Sequence, residues 1–139
     1  MLLHASTVDF SGQAVLLGGP PGIGKSDLAL RLIDAGARLV SDDQTFLRRD
    51  QDILRASPPA AIGGLLEIRH VGLIQLPFVT DSPVALYVEL TGIEEKLERL
   101  PAPDVVFFLD LPVRRLRLPA QAASTPAKIR AVLTDFLVP

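Results

Sequence analysis

The sequence predicts an α/β domain with a mixed, largely antiparallel sheet gathered around a phosphate-binding loop. Three observations predict it. Gly19-Pro20-Pro21-Gly22-Ile23-Gly24-Lys25-Ser26 fits the pattern G-x-x-x-x-G-K-[ST] in full, between an apolar strand and an amphipathic helix. Only two long segments carry a clear helical pattern. From Asp43 to Glu89 no segment supplies the crossover helix that successive parallel strands require.

Each element has a local reason. Leu2–Val8 and Ala14–Leu17 are strand-like runs that flank the turn before the loop. A helix is expected from about Gly24-Lys25 to Ala35, with Leu28, Ala29, Leu32 and Ile33 on one face and Gly36 as its C-cap. Leu39–Val40, Thr45–Arg48, Ile53–Ala56, Leu65–Arg69, Leu73–Leu76, Val84–Glu89 and Val105–Leu109 read as strands. This run argues against the layout of the nucleoside-monophosphate kinases. The mixed charge run Glu94–Leu100 reads as a short exposed helix. Arg115 and Arg117 fall on one face of a possible further strand, opposite Leu116 and Leu118; they read first as a solvated face, and the alternative is contact with a partner or a phosphate. A second helix is expected from Pro126 to about Leu137, with Thr125 as N-cap and Pro126 at the first position. Its stripe is Ile129, Val132, Leu133, Phe136 and Leu137.

Composition narrows the function. The chain has 139 residues, enough for one domain and its core. Apolar residues make up 48% and charged residues 22%, as in globular domains. A net charge of −2 disfavours a general nucleic-acid binder. The absence of cysteine excludes disulfides, thiolate metal sites and a cysteine nucleophile. No apolar run reaches the roughly 20 residues that span a bilayer. Met1-Leu2-Leu3-His4 lacks a basic start and a long apolar stretch, so the expected location is the cytoplasm.

The loop motif carries the first chemistry. Gly19, Gly22 and Gly24 let the backbone fold around a phosphate, and the amides of Ile23 and its neighbours point inward. The helix start adds partial positive charge. Lys25 is placed to reach the β- and γ-phosphates, and Ser26 to offer its hydroxyl to Mg²⁺. A glycine-rich turn that only caps a helix is the plainer alternative. One helix further on, Leu39-Val40-Ser41 leads into Asp42-Asp43. One carboxylate can serve the metal while the other accepts a hydroxyl proton. The plainer alternative is a polar turn.

With these residues in view the chain resembles the HPr kinase/phosphorylase family, which acts on a serine of the phosphocarrier protein HPr. The family loop reads roughly G-x-S-G-x-G-K-S-E, and here it is Gly19 through Asp27. R-L-V-A-D-D corresponds to Arg38-Leu39-Val40-Ser41-Asp42-Asp43. The signature L-E-I-R-G-x-G-I-I corresponds to Leu66-Glu67-Ile68-Arg69-His70-Val71-Gly72-Leu73-Ile74. His4, Val8 and Asp9 match the strand ahead of the loop. The likeness runs from about His4 to Ile74, with an echo at Leu111-Pro112-Val113-Arg114.

The resemblance implies a single kinase catalytic domain over residues 1–139, similar to the nucleotide-binding core of phosphoenolpyruvate carboxykinase. It implies ATP and Mg²⁺ and an HPr-like phosphocarrier as substrate. It makes Asp42 the acid/base and places Asp43, Ser26 and Glu67 near the metal. Arg69 steadies phosphate charge, and His4 approaches the phosphate site. Asp27 closes the loop motif. Departures are Pro20-Pro21 in the loop, Ala5 and His70 at family glycine positions, and Arg114-Arg115-Leu116-Arg117 where the family has Gly-Arg-Asn. The family's separate N-terminal domain is expected to be absent. Phosphorolysis and homo-oligomerisation are left open. Two other readings compete: a small-molecule kinase with the same loop, and a nucleotide-sensing module without transfer.

Overall fold

In the computed structural model, residues 1–134 are described. The elements in chain order are β1 (Leu2–Leu3), β2 (Ala5–Phe10), β3 (Gln13–Gly18), α1 (Lys25–Asp34), β4 (Arg38–Ser41), β5 (Thr45–Asp50) and β6 (Ile53–Ser57). A 3-10 turn (Ala60–Ile62), β7 (Leu65–Ile68), β8 (Gly72–Gln75), β9 (Ser82–Thr91), β10 (Val105–Phe108), β11 (Leu111–Pro119) and α2 (Thr125–Leu133) follow. The nine strands other than β7 and β8 form one mixed sheet along the path β1-β5-β6-β9-β3-β2-β4. β11 adds to β9, and β10 adds to β11. Among the described strand pairings the β3–β9 and β9–β11 pairs are parallel and the rest antiparallel, with one isolated parallel bridge from Leu39 to Phe78. β7 and β8 form a separate hairpin.

β3 is the spine. Ala14 through Leu17 are fully buried, as expected for a strand covered on both faces. Val15 and Leu17 face α1, with Leu28, Leu32, Leu86 and Val88. Ala14 and Leu16 face the other cluster, with Val40, Leu47, Leu54 and Phe108. Burying each large aliphatic side chain contributes about 1.5–3 kcal/mol. β2 lies between β3 and β4, with Ala5 opposite Gly18 and Thr7 opposite Ser41. The two strand ends that carry the phosphate-loop motif and the acidic pair therefore share one neighbour.

Local chemistry sets the turns. Ser11 and Gly12 both have positive φ, which suits a two-residue hairpin. The buried Asp9 holds that turn through the Gly12 amide at 3.0 Å and also accepts from the Ser82 hydroxyl. α1 ends in a Schellman motif: Gly36 (φ 112°) donates to the Ile33 carbonyl and Ala37 to that of Leu32, each at 3.0 Å.

Several expectations are corrected. The Leu2–Val8 strand is two strands with a bend at His4, because β1 pairs with β5 while β2 pairs with β3 and β4. Glu94–Leu100 is a loop of turns. It has no sustained apolar stripe, Pro101 and Pro103 follow closely, and so short a helix is marginal by itself. Glu95 is instead held by Arg117 at 2.5 Å. Arg69 sits in the turn after β7, not in the strand. Arg115 and Arg117 are not merely solvated: both bind Glu89, at 2.8 and 2.7 Å, and Arg115 also binds Asp104 at 3.2 Å. Thr125 is the first residue of α2 rather than its cap, since its hydroxyl is drawn to the Pro119 carbonyl at 2.6 Å. Phe136 and Leu137 lie outside the described residues. No helix among the described residues is long and apolar enough to cross a membrane.

Tyr87 closes the sheet beneath the loop motif. A Cβ at Gly18 would overlap its hydroxyl. Its ring meets Phe108 edge-on at 5.5 Å. Burial first, and then Glu89, push its phenol above the ordinary value of 10.0, against the pull of Arg115.

Two measurements test these points. An added Cβ at Gly36 meets no atom within 4 Å, so Gly36→Ala isolates the cost of the left-handed backbone. It should lower the unfolding free energy by about 1–2 kcal/mol, read as a lower urea midpoint at constant m. The chain has one tyrosine and no tryptophan, so phenolate absorbance reports Tyr87 alone. Its midpoint should lie above 10.0 in the folded protein. The folded state then holds the phenol proton more tightly, so this contribution to stability is complete below the unfolded value and is lost as pH rises through the folded one.

Candidate active site

The chain from Gly18 to Lys25 must turn from a buried strand into a helix. Gly19, Gly22 and Gly24 take φ of 144°, 81° and 114°, a region costly for any side chain. Ile23 donates to the Pro20 carbonyl at 3.2 Å and closes the loop. Among the described residues, the amides of Gly22, Gly24, Lys25, Ser26 and Asp27 have no backbone acceptor. These five N–H groups gather at the start of α1, where anions are favoured. Pro20 and Pro21 contribute none.

Lys25 is buried, and its ammonium donates to the carbonyls of Gly19 at 2.8 Å and Pro20 at 3.3 Å. The cation is thus held by its own loop, beside the amide cluster. Asp27 is exposed and pairs with Arg31, at 3.2 Å on the same helix face. Arg31 also donates to the carbonyls of Ala120 and Ala122, which ties the segment after β11 to α1.

Asp42 is the centre of the acidic turn. It is 9% exposed at the end of β4. Its Oδ1 accepts from the Ser26 hydroxyl at 2.6 Å and from the Ser6 hydroxyl at 2.9 Å. Its Oδ2 has a weaker partner, the Glu67 amide at 3.4 Å. Asp43 takes a left-handed backbone (φ 66°), its amide donates to Ser6 Oγ at 3.1 Å, and its side chain is exposed. The Gln44 amide closes the turn on the Asp42 carbonyl at 2.7 Å.

A cleft of about 340 Å³ opens beside this turn, lined by Asp42, Asp43, Gln44, Ile62, Leu65, Glu67 and Leu73. The β7–β8 hairpin forms its far wall. Leu66 anchors that hairpin in the interior, while Glu67 is exposed on the cleft side. A second concavity of about 540 Å³ is lined by residues 67–73. His70 has φ 69°, the conformation that a glycine would supply most cheaply.

The structure therefore brings Gly19, Gly22, Ile23, Gly24, Lys25, Ser26, Asp42, Asp43 and Glu67 into one region. Arg69 lies exposed at the hairpin tip and His4 at the bend one residue before the Ala5–Gly18 pair. Neither has a side-chain hydrogen bond or ion pair among the described residues. Ser6 escaped sequence reasoning, since a serine in an alternating strand carries no special signal. No group of three or more His, Cys, Asp or Glu side chains suited to a metal occurs among the described residues.

Comparison with known proteins gives one consistent result. The family model described as HPr Serine kinase C-terminal domain matches residues 1–136, well past the Ile74 limit of the motif likeness. HPr kinase/phosphorylase of Lactococcus lactis subsp. lactis is 35% identical over 96% of this chain and 47% of its own length. The protein of that name from Clostridium acetobutylicum is 31% identical over 91% of this chain and 45% of its own. The chain thus spans about half the length of the curated relatives it matches. A solved structure, the Hpr(Ser) kinase/phosphatase from Coxiella burnetii, superposes with a TM-score of 0.84 at 27% identity. That match covers 97% of this chain and 95% of the other, and carries the same mixed α/β fold. With the family model matched over nearly its whole length, this chain belongs to the HPr serine kinase C-terminal domain family.

Proposed function

We propose that residues 1–139 form one catalytic domain that transfers the γ-phosphoryl group of ATP to a serine of HPr or a closely related phosphocarrier protein. The observation that carries this reading is the 2.6 Å hydrogen bond from Ser26 to Asp42. It joins the loop and helix that suit a nucleotide's phosphates to a carboxylate at the mouth of a cleft. On this reading Gly19–Ser26 is a P-loop, set in a core like that of phosphoenolpyruvate carboxykinase, and the cleft beside Asp42 and Asp43 receives the acceptor serine. The reading places the reaction in the cytoplasm, with ATP and the phosphocarrier at hand, and leaves homo-oligomers for direct measurement.

The step is an in-line displacement. The serine oxygen bonds to the γ-phosphorus, the bond to the bridging oxygen breaks, and ADP leaves. Asp42 Oδ2 takes the serine proton. Lys25 moves from its loop carbonyls to the β- and γ-phosphates, and the loop amides hold the phosphate oxygens. Arg69, on the hairpin that walls the cleft, offers a planar fork to the transferring group. His4 supports the phosphate site from the bend before β2.

The donors suit a Mg²⁺ ion. Ser26 and Asp42 are hard oxygen donors in contact, Asp43 adjoins them and Glu67 stands on the same cleft. Mg²⁺ needs only one or two protein oxygens when phosphates and water complete its shell. Ser26, Asp43 and Glu67 would hold it, and when bound it would neutralise charge on the β- and γ-oxygens.

A nucleotide-sensing module is the second reading. The two prolines that remove loop donors and the engagement of Lys25 by its own loop favour it.

Intact-mass analysis of HPr incubated with this protein, ATP and Mg²⁺ tests the choice. One added phosphoryl group on serine, absent with Lys25→Ala, is expected. Nucleotide binding with no added mass would select the sensor. Incubating the product with inorganic phosphate and measuring pyrophosphate then decides whether the reaction also runs by phosphorolysis. Asp42→Asn should lower transfer at least about a thousandfold and leave nucleotide affinity within a few-fold. Transfer at the native rate would remove Asp42 from the role of base.

A further inference from the structure

We infer that Ser6 is the positioning residue that aims Asp42, and that it holds this aim when Ser26 turns to the metal. The inference rests on the kinase reading for its consequence and on hydrogen-bond geometry for its substance.

The direction of each bond is fixed by what each atom can do. The Asp43 amide can only donate, so Ser6 Oγ accepts from it at 3.1 Å. The Ser6 hydroxyl proton is then directed to Asp42 Oδ1 at 2.9 Å. Ser6 thus links both halves of the acidic turn: it restrains the carboxylate of Asp42 and the left-handed backbone of Asp43. It is fully buried, so water does not replace it. Its strand, β2, is paired on one side with β3 and on the other with β4. Among the described strands, only β2 pairs with both β3 and β4.

Ser26 shares Oδ1 at 2.6 Å. In the proposed reaction a lone pair of its oxygen would turn to the metal, so the position of Ser26 would answer to the metal as well as to Asp42. Ser6, which donates to Oδ1, and the Glu67 amide, which donates to Oδ2, have no such second task. With Oδ1 held by Ser6, Oδ2 stays on the side of the Glu67 amide, a residue that lines the cleft, and is the oxygen left to receive the serine proton. Without Ser6 the carboxyl group is free to rotate about its last bond, and the productive orientation is populated for less of the time.

The test uses the full chain with HPr, ATP and Mg²⁺, comparing Ser6→Ala, Ser6→Thr and Asp42→Asn. Ser6→Ala should lower kcat by about tenfold to a hundredfold, the usual range for losing one hydrogen bond to a charged group. KM for ATP should stay within twofold, because among the described residues the Ser6 hydroxyl makes its hydrogen bonds to the acidic turn and none to the loop. Ser6→Thr keeps the hydroxyl and should recover most of kcat. A general loss of fold would lower the active fraction and with it the apparent kcat, so a urea midpoint for Ser6→Ala close to that of the native chain is required beside the kinetic result. If Ser6→Ala keeps kcat within twofold while Asp42→Asn abolishes transfer, the inference is overturned and the kinase reading stands. If the native chain transfers nothing, that reading fails by itself, and amide exchange decides the role of Ser6. Exchange at Asp43 at least about tenfold faster in Ser6→Ala, with Leu17 unchanged, supports the restraint. Unchanged exchange at Asp43 overturns it.

Discussion

One oxygen atom, Oδ1 of Asp42, organises the site. A carboxylate that is nine-tenths buried is costly unless donors surround it. Here the donors come from separate elements: Ser6 from β2 and Ser26 from the first turn of α1, with the Glu67 amide of β7 on the other oxygen. A hydrogen bond to a charged group contributes about 1.5–3 kcal/mol, and an unpaired buried charge costs more than that. The need to satisfy this group therefore constrains where β2, α1 and the hairpin stand relative to β4. The apolar contacts of β3 and α1 hold the domain together. The carboxylate specifies how the ends of those elements meet.

Much of the phosphate-loop region was legible in the sequence because its determinants are local. The glycines at 19, 22 and 24 announce the backbone turns, the spacing of Leu28, Ala29 and Leu32 announces α1, and Asp42-Asp43 follow a short apolar strand. The mixed sheet followed from the missing crossover helix. What stayed hidden depends on partners distant in the chain. The bend at His4 exists because β1 and β2 find different neighbours. The Glu94–Leu100 run is drawn into the arginine network of β11. The turn at Leu109-Asp110, with φ of 49° and 64°, carries neither glycine nor asparagine to signal it. Ser6 is the clearest case. Its importance comes from lying opposite the acidic turn, and nothing in the residues beside it shows that.

The two loop prolines and the self-bound lysine belong to one balance. Pro20 and Pro21 remove two potential donors, yet among the described residues five amides of the loop and the first turn of α1 have no backbone acceptor. Lys25 satisfies itself on the carbonyls of Gly19 and Pro20. A phosphate that enters must compete for this ammonium, and it releases two carbonyls as it does so. On the proposed reading, nucleotide affinity would be the difference between those two arrangements, not the sum of contacts in the bound one.

The central position of β3 has a consequence for how the protein reaches this state. β3 pairs locally with β2 through a two-residue turn, but its other edge waits for β9, with Leu17 opposite Val88. Closing a chain loop of that length costs entropy that only the completed pairing repays. The loop at the end of β3 rests against Leu90. During synthesis, the residues that would grip a nucleotide emerge early and remain unsupported until the strand that braces them has followed. A cleavage or stall between β8 and β9 would leave a chain that contains every residue of the loop motif and the acidic turn, without the strand that pairs with the second edge of β3. Assembly of the site is therefore coupled to the slowest class of contact in the fold.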